Sequence, residues 1–310
     1  MKRLLIQVFI FLTPLAILAI GVESFVRTIP NSYRFKKEWM DNNCQKVKTL
    51  ILGNSHLNSA IIPSQMESAF NLTNSSQSLE YDSWLLSCYI KNCPNLETVL
   101  LSLDYHNLFY TEYEKANDKN NCLPIYYHIY MDYPKHVCLP KYCLELSCPR
   151  FLCGKVEDYI ISRLKRTTYD FRCDSLGRFG SNLKNQRLMH ERFIKKDIIR
   201  TSKIEVGNAV VQNTEYINKI VNTCKSRKIR LVLISTPFWH VYNENIDTKR
   251  LSEFYLFANY IKSKYKVEYY DFRDDDRISY NGDFFKDSHH LSDFGADKFT
   301  KMLKTEYDIQ

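Results

Sequence analysis

The stretch at 47–56, VKTLILGNSH, carries the pattern on which the fold class rests. Its first six residues form a short apolar run that stops at Gly53, the pattern of a buried strand entering a turn. The runs at 97–103 (ETVLLSL) and 229–235 (IRLVLIS) repeat that pattern, the second closed by Thr236-Pro237, and 266–271 (KVEYYD) is a weaker fourth. Such runs are apolar on both faces, as strands of a parallel sheet covered by helices must be. Helical stripes lie between them. Val210, Thr214, Ile217, Val221 and Cys224 recur at steps of three and four, as do Leu251, Phe254, Ala258, Ile261 and Tyr265, so each predicted helix has one apolar side. A last helix is predicted after Ser292 as N-cap, burying Phe299, Met302 and Leu303. Strand alternating with helix predicts an α/β fold, a three-layer α/β/α sandwich around a parallel sheet.

The whole chain has 310 residues, 45% of them hydrophobic and 14% aromatic, with only 8 Gly and 9 Pro. That composition excludes disorder and collagen-like repeats, and no period of 20 to 50 residues suggests a solenoid or propeller. Residues 105–205 break the strand and helix rhythm and hold six of the ten cysteines, so they read as a Cys-rich, mostly helical insertion. Within 150–203 there are 14 Lys and Arg against six Asp and Glu, which accounts for the +8 of the entire chain. Two readings of this segment stand: a solvated helical face such as 186–200, or a patch that meets an anionic polymer or lipid headgroups. Cys138, Cys143, Cys148 and Cys153 are spaced by five, with Cys122 and Cys173 flanking. That spacing fits neither a helix face nor the paired cysteines of a zinc site, and it predicts disulfides of unspecified connectivity.

Residues 4–22 (LLIQVFIFLTPLAILAIGV) carry no charge and would extend about 28 Å as a helix, close to the roughly 30 Å of a bilayer core. With Lys2 and Arg3 ahead of it, the segment reads as a signal-anchor over residues 1–26, or as a signal peptide cut near Ala19-Ile20-Gly21. A polar linker at 27–46 leads to the main domain at 47–310. Arg27, Arg34, Lys36 and Lys37 outnumber the two leading cations, so flanking charge does not direct the body outward. The cysteine count suits an oxidising compartment and places the body outside the cytoplasm.

In an open α/β sheet ligands bind at the carboxyl ends of strands, which singles out Gly53-Asn54-Ser55-His56. A serine there can present its hydroxyl near backbone N–H groups; the same residues also suit a turn on conformational grounds alone. Near the other end, FFKDSHHL at 284–291 places Asp287 three residues before His290. A serine needs a base, usually an imidazole fixed by a carboxylate, and this spacing can supply one within a single turn. The competing readings are a capping aspartate with two surface histidines, and a metal site from Asp287, His289 and His290; the second is disfavoured because no further ligand cluster accompanies it.

LILGNSH at 50–56 and FFKDSHHLSDFGADKF at 284–299 resemble the first and last blocks of the SGNH (GDSL-like) hydrolases. The resemblance covers about 47–110 and 207–305 and leaves the insertion unexplained. It implies a flavodoxin-like sheet, Ser55 as nucleophile, His290 as general base, Asp287 as its orienting acid and His289 as a bystander, with no metal and no cofactor. In that family a Gly backbone and an Asn side chain complete the oxyanion hole. Here the second block, 71–78 (NLTNSSQS), has no Gly and Ser76 stands in its place; the third has Asp104, which would repel an oxyanion, leaving Asn74 or Asn107 as donor. The expected function is a membrane-tethered serine esterase or O-acyltransferase acting on acyl esters of an envelope carbohydrate, with no nucleic-acid partner. The alternative is a non-catalytic binding subunit that docks an anionic glycan or a partner through the basic insertion. Trp239, His240 and Tyr242 are candidates to line the site.

Overall fold

The structure is a computed structural model that describes residues 1–109, 123–134, 144–202 and 208–310. These fall into two compact units, one formed by residues 1–38 with 118–172, the other by 39–117 with 173–310.

The larger unit is built on five parallel strands: β1 (Thr49–Leu52), β2 (Ala69–Asn71), β3 (Thr98–Ser102), β4 (Arg230–Ser235) and β5 (Glu268–Asp271). Their order is β2-β1-β3-β4-β5, the order found in flavodoxin-like sheets. The four strands expected from apolar runs are all present. β2 escaped notice because it is three residues long and ends in Asn71, too short to show a period. Helices flank the sheet. In register, Ile51, Leu100 and Val232 sit side by side, and with Ile234 they pack on Leu57, Phe299, Met302 and Leu303 in one core cluster. The alternate residues Leu50, Leu52, Val99, Leu101 and Leu233 are also fully buried, and strand alternation sends them to the opposite face.

The helices of this unit begin as local chemistry dictates. Asn54 caps α3 (Ser55–Ala60), and α4 (Leu79–Tyr89) follows β2. Asp104 caps the short α5 (Tyr105–Leu108) in a capping box with Asn107. The long α10 (Ala209–Ser226) and α12 (Thr248–Tyr265) bury Ile217, Val221 and Cys224, and Phe254, Ala258 and Ile261, respectively. The short α11 (His240–Asn245) lies between them in the chain, and the single turn α13 (Asp276–Ser279) follows β5. α14 (Asp293–Tyr307) starts where predicted, with Ser292 Oγ accepting the Gly295 N–H, and buries Phe299, Met302 and Leu303.

The second unit holds α1 (Lys2–Thr28), the first part of α2 (Ser32–Asn43), α6 (Leu123–Tyr130) and α7 (Pro149–Leu164). Among the described residues α1 is one helix long and apolar enough to cross a membrane. Its apolar side chains from Leu4 to Val22 are largely exposed, and only Glu23 and Val26 are buried. The Glu23 carboxylate accepts the N–H groups of Glu145 and Leu146 and pairs with Arg27. Glu145 in turn is held by Lys155 at 2.9 Å and by the Tyr130 hydroxyl. Residues 27–46, expected as a linker, are mostly helical; Tyr33 stacks on Tyr126 and Trp39 stacks face to face on Phe70 at 3.8 Å. Aromatic burial orders a segment whose polar composition alone suggested none.

The expected insertion at 105–205 is likewise divided. Its described residues between 118 and 172 belong with the N-terminal helices, whereas 105–109 and 173–202 belong with the sheet. There the Asn71 N–H donates to Leu176 O, Phe179 N–H to Asn58 Oδ1, and Asn185 N–H to Lys286 O. Hydrogen bonds to backbone groups and to the Asn58 side chain of the sheet unit, not an apolar period, fix this strap. Its continuation contains α8 (Gln186–Met189) and α9 (Glu191–Ser202). Cys148 is disulfide-bonded, while Cys44, Cys93, Cys153 and Cys224 carry thiols; Cys122, Cys138 and Cys143 lie outside the described residues.

At the end of β1 the chain passes hard against β3. Gly53 has φ of 122°, and a Cβ there would lie 2.3 Å from Ser102 Cβ and 2.9 Å from Ser102 N. Its N–H donates to Asp82 Oδ1 on α4 at 2.8 Å, an oxygen that also accepts from Gln77 Nε2 at 2.6 Å. Asp82 Oδ2 is buried with no hydrogen-bond partner. Burial therefore dominates and pushes the Asp82 carboxyl up to about 7, against the lowering by Gln77 and the Gly53 N–H.

Two outcomes are expected of this turn. Gly53→Ala combines a strained φ with a backbone clash and should destabilise the fold by roughly 3 kcal/mol or more, read from thermal melting of the chain in detergent. For Asp82 the folded pKa lies above the unfolded one, so the folded state binds the extra proton and stability falls as pH rises from about 4 to 7. Asp82→Asn keeps the acceptor for Gly53 and Gln77 and removes that titration. It should melt like the wild type near pH 4 and above it at pH 8, by on the order of 4 kcal/mol; a constant difference across that range would contradict the assignment.

Candidate active site

Ser55 is the first residue of α3, directly beyond the Gly53 turn. Asn54 adopts an extended conformation before it and accepts the His56 N–H on its Oδ1 at 2.9 Å, so the N-cap that starts the helix also presents Ser55 at the carboxyl end of β1. At the far end of the chain, Phe285 and Leu291 form an antiparallel bridge, and Lys286 N–H donates to His290 O. The loop between them is a closed turn. Within it Asp287 Oδ1 accepts the backbone N–H groups of His289 and His290, and the His290 Nδ1 lies 2.9 and 3.0 Å from the two Asp287 oxygens. The three-residue spacing works because the turn folds the imidazole back onto the carboxylate.

His290 Nε2 lies 2.8 Å from Ser55 Oγ, across 235 residues of sequence. The structure thus brings Ser55, His290 and Asp287 into one continuous hydrogen-bonded chain. Burial alone would raise the Asp287 carboxyl, but the positive charge and hydrogen bond of His290, with help from His289, hold it far below the usual carboxylate range. Burial lowers the His290 imidazole, and His289 adds to this against the opposing pull of Asp287. At neutral pH the pair is a carboxylate beside a neutral imidazole, the protonation state in which a base can accept a proton.

Asp104, expected to repel an oxyanion, is spoken for on both oxygens. Its Oδ2 lies 2.7 Å from His56 Nδ1 and accepts from Ser102 Oγ at 3.2 Å and Asn54 Nδ2 at 3.3 Å; its Oδ1 accepts the His106 N–H. Burial pushes this carboxyl up, but the His56 charge and hydrogen bond, then His106, carry it well below the ordinary value. The aspartate serves as helix cap and imidazole partner at once.

The oxyanion-hole candidates occupy different settings. Asn107 Oδ1 accepts from Asp104 N, Ser102 Oγ and Asn54 Nδ2, which commits that oxygen to the cap of α5. Asn74 is buried, donates from Nδ2 to Gln77 Oε1, and accepts the Gln77 N–H in a tight turn. Ser76 is exposed and has φ of 56°, the left-handed conformation that glycine adopts most readily. The backbone shape of a glycine turn is therefore present without the glycine. Asn71, formally part of a glycosylation sequon, is fully buried and bonded to Asn58 and Thr73.

Two further histidines crowd the site. His56 makes ring contacts with His106, Phe238, His289 and His290 at 4.9 to 5.1 Å between centroids. His106 Nε2 is 3.3 Å from the Tyr242 hydroxyl, and burial first, then the nearby His56, lowers its imidazole well below the ordinary range. Of the residues expected to line the site, Tyr242 does so through His106, and the Trp239 N–H donates to Ser288 O beside the Asp287 turn. His240 instead stacks on Tyr280. The sequence offered one cue to His56, its place directly after Ser55, and none to its pairing with Asp104 across 48 residues.

Comparison with known proteins adds little to this geometry. No curated protein matches the chain. One family model matches residues 154–308, half of the chain, a match that brings no activity with it.

Proposed function

We propose that this chain is a membrane-anchored serine esterase or O-acyltransferase of SGNH type, acting on acyl esters of an envelope carbohydrate. The observation that carries the reading is the Ser55–His290–Asp287 hydrogen-bonded chain at the carboxyl end of the first strand. In this reading His290 Nε2 takes the proton of Ser55 as Oγ attacks the acyl carbonyl. Asp287 holds the imidazole in the tautomer with its proton on Nδ1 and stabilises the imidazolium that forms. The same proton then passes to the departing alkoxide, and the acyl-enzyme is resolved by water or by a sugar hydroxyl, with His290 again as base. The backbone N–H of Ser55 and that of Ser76 are the donors assigned to the developing oxyanion, and fewer donors than usual imply a slower acylation.

The apolar helix α1 supports the membrane setting, and the Cys148 disulfide supports a body outside the cytoplasm. The carbohydrate substrate rests on that setting and on the family resemblance. The docking alternative has less behind it, because several cations of the basic segment are already paired: Lys155 with Glu145, Arg178 with Asp293, Lys184 with Asp283 and Lys195 with Glu191.

A fluorophosphonate probe reports the nucleophile directly. The full chain in detergent should label on Ser55; Ser55→Ala should abolish labelling, and Asp287→Asn, which disturbs the tautomer and not the hydroxyl, should slow it by about ten-thousandfold. Labelling that survives Ser55→Ala, or none in the wild type, rejects the enzyme reading. Mass spectrometry of envelope glycans from cells with and without Ser55→Ala should then show an ester gained or lost.

A further inference from the structure

The hydrogen-bonded chain uses one histidine, yet three converge on the same point. One ring nitrogen from each of His56, His289 and His290 lies within 4.8 Å of the other two. On every one of these rings Nδ1 already has a partner: Asp104 for His56 at 2.7 Å, Ser288 Oγ for His289 at 2.9 Å and Asp287 for His290 at 2.9 Å. That leaves for an ion the Nε2 of His56 and of His289, and on His290 the Nε2 that faces Ser55 Oγ. Imidazoles whose second nitrogen is fixed by a carboxylate or hydroxyl are how proteins orient histidine ligands toward a metal.

Charge and space agree with this. The Asp104 and Asp287 carboxylates, one bond removed from the centre, bring two negative charges to a buried site where a divalent ion would otherwise be costly. Three nitrogens held about 2.1 Å from a tetrahedral ion are roughly 3.4 Å apart, so the rings need draw together by little more than an ångström. Ser55 Oγ, 2.8 Å from His290 Nε2, is the hydroxyl that an ion would displace from that nitrogen. The sequence disfavoured a metal at Asp287, His289 and His290 because no further ligand cluster accompanied them; the fold brings His56 beside the two histidines from the other end of the chain.

We propose that His56, His289 and His290 form a binding site for a divalent transition-metal ion with zinc's preference for imidazole, and that its occupancy silences Ser55 by taking the lone pair of His290. The metal site stands on the geometry alone, whereas its effect on Ser55 rests on the esterase reading. No electron is transferred, and occupancy is reversible by chelation.

Titration calorimetry of the full chain in detergent with zinc chloride should show one ion per chain, bound at least tenfold more weakly by His56→Gln and by His289→Gln. X-ray absorption at the zinc edge of the wild type, which depends on no variant folding correctly, should show three imidazole nitrogens at about 2.0 Å. A sulfur shell at about 2.3 Å, which the thiols of this chain would give, overturns the assignment, as does wild-type affinity in both variants or the absence of stoichiometric binding. Saturating zinc should also slow fluorophosphonate labelling at least tenfold, with recovery on adding a chelator. Undiminished labelling with zinc bound removes the silencing role. Failure to label without zinc rejects the esterase reading and leaves the metal site standing.

Discussion

Gly53 has no room for a side chain. Ser102 on the neighbouring strand fills the space where a Cβ would sit, and the Gly53 N–H is held by the buried Asp82. This close passage of β1 against β3 decides where the chain goes next. It turns the backbone so that Asn54 can cap α3 and Ser55 can stand at the end of the sheet, within 2.8 Å of His290. It also brings the Asn54 and Ser102 side chains to Asp104, so that the first and third strands share one polar cluster at the ends where an α/β sheet binds its ligands. A side chain at position 53 would push these strands apart and loosen every group in that cluster.

The cluster is costly to build. Asp82, Asp104, His56 and Asn107 are buried to within a few per cent of full exclusion from water, and each such group must find partners or be destabilising. Asp104 is satisfied four times over. Asp82 is satisfied on one oxygen only, and it avoids the cost of a buried charge by holding a proton up to about pH 7. The two aspartates differ for that reason: one sits among donors and a histidine, the other has two amide donors on one oxygen and no hydrogen-bond partner on the other. Burial lowers the His106, His289 and His290 imidazoles, which leaves His290 available as a base, and the same gathering of rings suits a metal.

The elements with long apolar periods were legible in advance. β1, β3, β4, α10, α12 and α14 each carry enough buried side chains to show a strand or helix pattern, and Ser292 announced its own cap. β2 was not, being three residues long. The strap at 173–185 was not either, because it is held by Asn58, Asn71 and Lys286 O and by no apolar face of its own. Aspartate at position 104 reads in the sequence as a group that would repel an oxyanion; its pairing with His56 and Asn54 was not legible there, because those partners are distant in the chain.

The sequence by itself determined that the chain alternates strand and helix, begins with an apolar helix, and carries a serine and an Asp-x-x-His pair at opposite ends. These follow from local periodicity, capping and residue chemistry, which act over a few residues. Only the tertiary structure decided that His290 meets Ser55, that Asp104 belongs to His56, and that His56 joins His289 and His290 around one point. Those pairings span 48 to 235 residues, and no local preference specifies them; the crossing of β1 past β3 and the packing of α14 against α3 do.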